Sequence, residues 1–200
     1  MLLFIGLGNP GAQYAQTRHN CGFQVIDRLS RLWNIPVDRA RCHGLAGEGR
    51  VDGQRVALIK PQTFMNLSGD CVADALRWYK ADPKDTLIFS DDIDLPLGAI
   101  RVRPFGGAGT HNGWRDILLK TGTDRFPRVR VGVGAKPPEW DLADWVLSRF
   151  SAEDQPLMDA AFQRAADAAA CFLQYGIEEA MNLYNRKTAA EAKPAAQAEQ

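Results

Sequence analysis

No apolar run in this 200-residue chain approaches the roughly 18 residues that a membrane-spanning helix needs. The first apolar segment, Leu2 to Ile5, is short and lacks a basic leader, so it reads as a buried strand and not as a secretory signal. Cys21, Cys42, Cys71 and Cys171 are scattered, with no C-x-x-C pair and no His at ligand spacing. That excludes the usual zinc sites and a disulfide framework, and predicts reduced thiols in a cytosolic protein. The Gly-x-Ser-x-Gly elbow of serine hydrolases is missing as well. No internal repeat and no domain linker breaks the chain, so a single domain with a substantial core is expected.

Net charge is another absence: 24 basic residues balance 24 acidic ones. The balance is uneven along the chain. Residues 101–136 hold eight basic and two acidic residues, whereas 137–200 hold five basic and eleven acidic. A basic middle third in a neutral protein predicts one localised polyanion contact, against the plainer reading of solvated charges on a helix and a strand edge.

What is present is an alternation of strand-like and helix-like segments. Short apolar runs recur at 2–5, 56–59, 86–89, 100–102 and 129–133, with a weaker one through 42–51. Helical spacing appears over 20–33, 66–80, 113–121, 152–174 and 177–186. The pattern predicts a three-layer α/β domain over 1–187. Its twisted mixed sheet is mostly parallel, with 42–51 and 56–59 as an antiparallel hairpin. Residues 188–200, made of Ala, Glu, Gln, Lys, Pro and Thr without a stripe, predict a disordered tail.

The chemistry-bearing residues fall where these strands should end. Asn9 and His19 follow the first strand, Asn66 follows the strand ending near Lys60, and Asp91, Asp92 and Asp94 follow Phe89. His111 and Asn112 close the loop Gly106-Gly-Ala-Gly-Thr. Parallel strand ends point one way, so these groups should meet in one crevice. Each has a plainer role: Asn20, Asn66 and Asn112 suit helix N-caps, Asp94 suits a turn, and His19 a surface position. Joint occurrence at four successive strand ends exceeds what capping demands. Gly6-x-Gly8-x-x-Gly11 also matches a dinucleotide fingerprint. Pro10, however, pushes Asn9 from helical backbone, and the helix should open near Asn20, beyond the glycines.

Together the motifs strongly resemble those of bacterial-type peptidyl-tRNA hydrolases. The matching blocks are Gly6-Leu-Gly-Asn-Pro-Gly with Tyr14 and Thr17-Arg-His-Asn20, Lys60-Pro-Gln-Thr-Phe-Met-Asn-Leu-Ser-Gly69, Asp91-Asp-Ile-Asp-Leu-Pro96, and Gly106-Gly-Ala-Gly-Thr-His-Asn-Gly113. The chain departs from the family pattern at Ser90, Thr110, Trp114 and Ala135-Lys136.

The resemblance implies hydrolysis of the ester between an N-blocked peptide and the 3′ ribose of tRNA, in a cytoplasmic, monomeric enzyme without metal or other cofactor. It implies His19 as general base, since the ordinary pKa of His, about 6.5, suits a base near neutrality, and Asp91 as the partner that accepts its other ring N–H. Asn9, Tyr14, Met65, Asn66 and Asn112 would bind substrate, and Arg101, Arg103 and Arg130 would contact tRNA phosphates. Residues 134–144, with two prolines and a Trp, would form a mobile flap. An RNA-binding protein without hydrolysis and a nicotinamide-dependent oxidoreductase are the alternatives. The retained His–Asp couple argues against the first.

Overall fold

A computed structural model describes residues 1–186, so the tail predicted at 188–200 lies outside the described residues. The elements in chain order are β1 (Leu2–Gly6), α1 (Cys21–Trp33), β2 (Arg39–Arg41), β3 (Gly44–Val51), β4 (Gln54–Pro61), α2 (Ser68–Tyr79), β5 (Thr86–Asp92), β6 (Ile100–Arg103), α3 (Asn112–Thr121), β7 (Arg128–Gly132), α4 (Leu142–Leu147), α5 (Gln155–Tyr175) and α6 (Ile177–Tyr184). One seven-stranded sheet has the order β2-β3-β4-β1-β5-β7-β6. Its four central strands, β4, β1, β5 and β7, run parallel, and both edges are antiparallel. The sheet is therefore mixed as expected, with β6 folded back on β7 as a second antiparallel edge.

Alternation along the strands builds two cores. Phe4 faces the layer of α1, α5 and α6, where it meets the Trp33 and Phe172 rings edge-on at 5.0 and 6.1 Å. Leu3 and Ile5 face the layer of α2 and α3 with Val72, Ile117 and Phe126. This is the three-layer packing an α/β pattern requires.

The glycines of the first loop serve this packing. A Cβ at Gly6 would lie 2.1 Å from the Gly22 carbonyl oxygen, and one at Gly22 would lie 2.3 Å from the Leu7 nitrogen. Strand and helix touch backbone to backbone there, and α1 opens at Cys21, well past the glycine run. The dinucleotide geometry is thereby excluded, because no helix begins inside the fingerprint.

Several boundaries differ from expectation for local reasons. The strand predicted from 42 begins at Gly44 because Cys42 and His43 take positive φ (51° and 55°), turning the chain back from β2, a strand the sequence did not suggest. Met65–Leu67 forms a separate 3-10 turn before α2. The four cysteines are unpaired thiols, as expected.

Candidate active site

The carboxyl ends of β1, β4 and β5 and the glycine loop before α3 surround one cleft of about 920 Å³. Asn9, Tyr14, His19, Met65, Asn66, Asp91, Asn112, Arg103 and Arg130 all line it; Arg101 does not. Topology thus brings together every residue to which the resemblance gives a role except Arg101.

At its floor, Asp91 sits at the end of β5 with its side chain 3% exposed. One oxygen, Oδ1, lies 2.9 Å from His19 Nδ1 and 3.1 Å from His111 Nε2. The proton positions follow from the remaining ring atoms. His111 is the N-cap of α3, and its Nδ1 accepts from the Trp114 backbone N–H at 3.3 Å. Its Nε2 therefore carries the proton and donates to Asp91. His19 donates from Nδ1, which leaves its Nε2 lone pair free. Burial opposes ionisation of Asp91, but the two histidines, by charge and hydrogen bonding, outweigh it and hold the carboxyl well below the usual range. Burial likewise disfavours a charged His19, yet the Asp91 charge and hydrogen bond raise its pKa above the ordinary value. The buried Cys21 thiol is pushed up by burial and by Asp91, which leaves it inert as a nucleophile.

His111 was placed at this level by the sequence but not in the couple. Its cue was position: a His closing a glycine loop before a helix. Capping also falls to His111, not Asn112, which is the first residue of α3. The Asn112 Oδ1 accepts from Arg115 at 3.3 Å, and its amide NH2 has no partner among the described residues. Asn20 likewise does not cap α1 with its side chain. It locks the loop instead, accepting from Asn9 N–H and donating to Asn9 C=O, both at 2.9 Å. Asn9 Oδ1 in turn accepts from Met65 N–H at 2.8 Å, tying the β1 and β4 loops together and leaving the Asn9 NH2 for the cleft. Asn66 is exposed on the 3-10 turn beside buried Met65.

Two of the residues that depart from the family pattern touch one another. Ser90 and Trp114 are both buried, and the indole N–H donates to Ser90 Oγ at 2.9 Å. The guanidinium of buried Arg128 stacks on Trp114 at 3.5 Å and donates to the Gly107 carbonyl at 3.0 Å, fixing the glycine loop. Arg101 pairs across the ladder with Arg130, and Arg103 with Arg128, so four arginines share one sheet face. Arg130 also forms an ion pair with Asp92, and Arg101 donates to the Asn185 carbonyl at 3.3 Å.

The flap region has structure of its own. Trp145 Nε1 donates to the Gly134 carbonyl at 3.2 Å, and α4 begins at Leu142.

His19, Asp91 and His111 place three donor atoms within 4.8 Å of one another, close enough to ligate one ion. In the tautomers above, both nitrogens facing Asp91 donate hydrogen bonds to it, so ligation of an ion there would require each imidazole to switch tautomer.

The fold and cleft define an α/β protein whose polar groups converge at the ends of parallel strands. Comparison with known proteins narrows this: the chain belongs to the peptidyl-tRNA hydrolase family, whose profile matches residues 3–192. It is 49% identical over 185 residues to a peptidyl-tRNA hydrolase of Lachnospira eligens, covering 92% of this chain and 100% of that relative. A peptidyl-tRNA hydrolase of Alkaliphilus oremlandii is 48% identical with the same coverage. Among solved structures, the peptidyl-tRNA hydrolase of Acinetobacter baumannii superposes with a TM-score of 0.89 at 36% identity, over 94% of this chain and 96% of that one. Among the described residues no helix is long and apolar enough to cross a membrane.

Proposed function

We propose that the protein hydrolyses the ester joining an N-blocked peptide to the 3′ ribose of tRNA, releasing free tRNA, with His19 as general base. The observation that carries this is the Asp91 oxygen accepting from His19 Nδ1, which leaves Nε2 directed to an acceptor role. Nε2 takes a proton from water as the oxygen attacks the ester carbonyl. Asp91 holds the ring in that tautomer and stabilises the imidazolium that forms. His111 shares the same oxygen and keeps the carboxylate ionised and oriented. The proton then passes to the departing ribose oxygen, so no metal is asked for.

The free amide NH2 groups of Asn9, Asn66 and Asn112 supply donors for the substrate carbonyls and the developing oxyanion. Tyr14 and Met65 complete the wall that binds substrate. Arg103 and Arg130, with Arg101 continuing the same face, meet backbone phosphates, a recognition that does not depend on sequence. The enzyme acts as a cytoplasmic monomer in this reading.

His19→Ala is expected to lower kcat on N-acetyl-aminoacyl-tRNA by about a hundredfold or more while tRNA binding stays near wild type. Unblocked aminoacyl-tRNA is the control. Turnover at the wild-type rate would remove His19 from the mechanism.

A further inference from the structure

One half-exposed aromatic ring in the cleft belongs to neither the histidine centre nor the asparagine set. Phe105 is 51% exposed, although it lines the same cavity as His19. Phe64, 55% exposed on the loop after β4, also lines the cavity but belongs to the motif block already described; Phe105 stands alone in an otherwise glycine-rich loop. Its placement is fixed on both sides. Pro104 restricts the backbone before it. After it, Gly106 N–H donates to the Asp124 carbonyl at 3.3 Å, and Arg128 grips the Gly107 carbonyl at 3.0 Å. The Arg125 guanidinium lies 5.4 Å from the ring centroid. Arg103 and Arg130 line the same cavity. A preorganised ring, with one cation over it and further arginines in the same cavity, suits a flat, electron-rich partner joined to an anion. An apolar peptide side chain would gain nothing from those charges.

Building on the function proposed above, we propose that Phe105 is a stacking platform for the unpaired nucleobase at the 3′ end of the tRNA, with Arg125 at the ring and Arg103 meeting the adjoining phosphate. An ester carried on a terminal ribose brings that nucleotide's own base into the cleft. The cavity of about 920 Å³ has room for a nucleoside together with the first peptide residue. Stacking is tolerant of base identity, which matches an enzyme acting on many tRNAs.

The test compares wild type, Phe105→Ala, Phe105→Tyr and Phe105→Leu in two assays. One is hydrolysis of N-acetyl-aminoacyl-tRNA; the other is binding of the unesterified single-stranded trinucleotide CCA. Because Phe105 is exposed, the variants should melt like wild type. Phe105→Ala is expected to raise both KM and the trinucleotide Kd by about tenfold, with kcat changed by less than about twofold. Tyr should preserve both values, and Leu, apolar but without a π-face, should lose them as Ala does. An unchanged Kd in the Ala variant, or a Leu variant that binds as well as Tyr, overturns the platform. If wild type fails to hydrolyse the tRNA ester, the functional reading is what falls. The trinucleotide arm still decides on Phe105.

Discussion

Asp91 uses a single oxygen to accept from two imidazoles, and that sharing governs how the site responds to pH. In the proposed mechanism His19 is a base only when neutral, so the acid limb of kcat/KM should follow its pKa, which lies above the ordinary value of about 6.5. Asp91→Asn removes the charge that raises this pKa and leaves the burial that lowers it. The limb should therefore move to lower pH while the plateau rate falls, and a pH–rate profile reads both. A limb that stays in place would mean that Asp91 does not set the His19 charge. The stability terms have opposite signs. The His19 contribution is full below about pH 6.5 and is lost as pH rises through the higher folded value. The Asp91 contribution is present above about pH 3.9 and is lost on acidification. Asn112 offers a second residue-scale test. Since His111 does the capping, Asn112→Asp places a carboxylate in the first turn of α3, where the helix dipole favours it. Its Tm should hold or rise slightly while hydrolysis drops, because the NH2 donor is gone. Normal hydrolysis in that variant would leave Asn112 without a role in substrate binding.

Helix α4 shows how one element is held beside the reaction centre. Arg18, the neighbour of His19, is buried beneath it. Its guanidinium stacks on Trp145 at 3.8 Å and on Phe150 at 4.9 Å, and donates to Ser148 Oγ at 2.6 Å and the Arg149 carbonyl at 2.5 Å. The backbone joins in: Arg18 N–H donates to the Ser148 carbonyl at 3.0 Å, and Thr17 bridges to Arg149. A six-residue helix is too short to persist without such contacts. Arg18→Ala should cost about 2–3 kcal/mol, from charged hydrogen bonds and cation–π stacking together. At about 2–4 °C per kcal/mol for a chain of this size, differential scanning calorimetry resolves the loss easily. Limited proteolysis should then cut between 134 and 148 faster than in wild type. Unaltered cleavage would show that α4 is held by its own apolar contacts to the cleft wall.

Across the whole molecule, zero net charge conceals a polarised surface. The acidic residues at the end of β5 and the arginines of β6 and β7 line one cleft, where Asp92 and Arg130 pair. A polyanion can bind to the arginine face although the protein as a whole gives it no attraction. Replacing Arg101 and Arg103 together by Ala should raise KM for tRNA esters and leave kcat almost unchanged, since phosphate contacts hold ground and transition states alike. The slope of log affinity against log salt should become shallower by about one to two units. Because Arg101 donates to Asn185 and lies outside the cleft lining, Arg103 alone should account for most of the change. An unaltered slope would make both arginines ordinary solvated charges.

The sequence by itself determined the layer architecture and the level of the site. Alternating apolar runs specify which segments bury on which side of a sheet, and polar loops after parallel strands have only one crevice to enter. It could not decide what each polar side chain grips. An Asn before a helix has the same local options wherever it stands, and only the approach of Asn9 turned Asn20 from a cap into a loop lock. His111 became the second partner of Asp91 across 20 residues, and Arg18 reached α4 across 130. The positive φ of Cys42 and His43, which created the β2 edge, was equally unmarked by Gly or Asn. These outcomes rest on contacts between distant segments, whose energies enter only when the sheet and its flanking helices have assembled. Local periodicity carries no record of them.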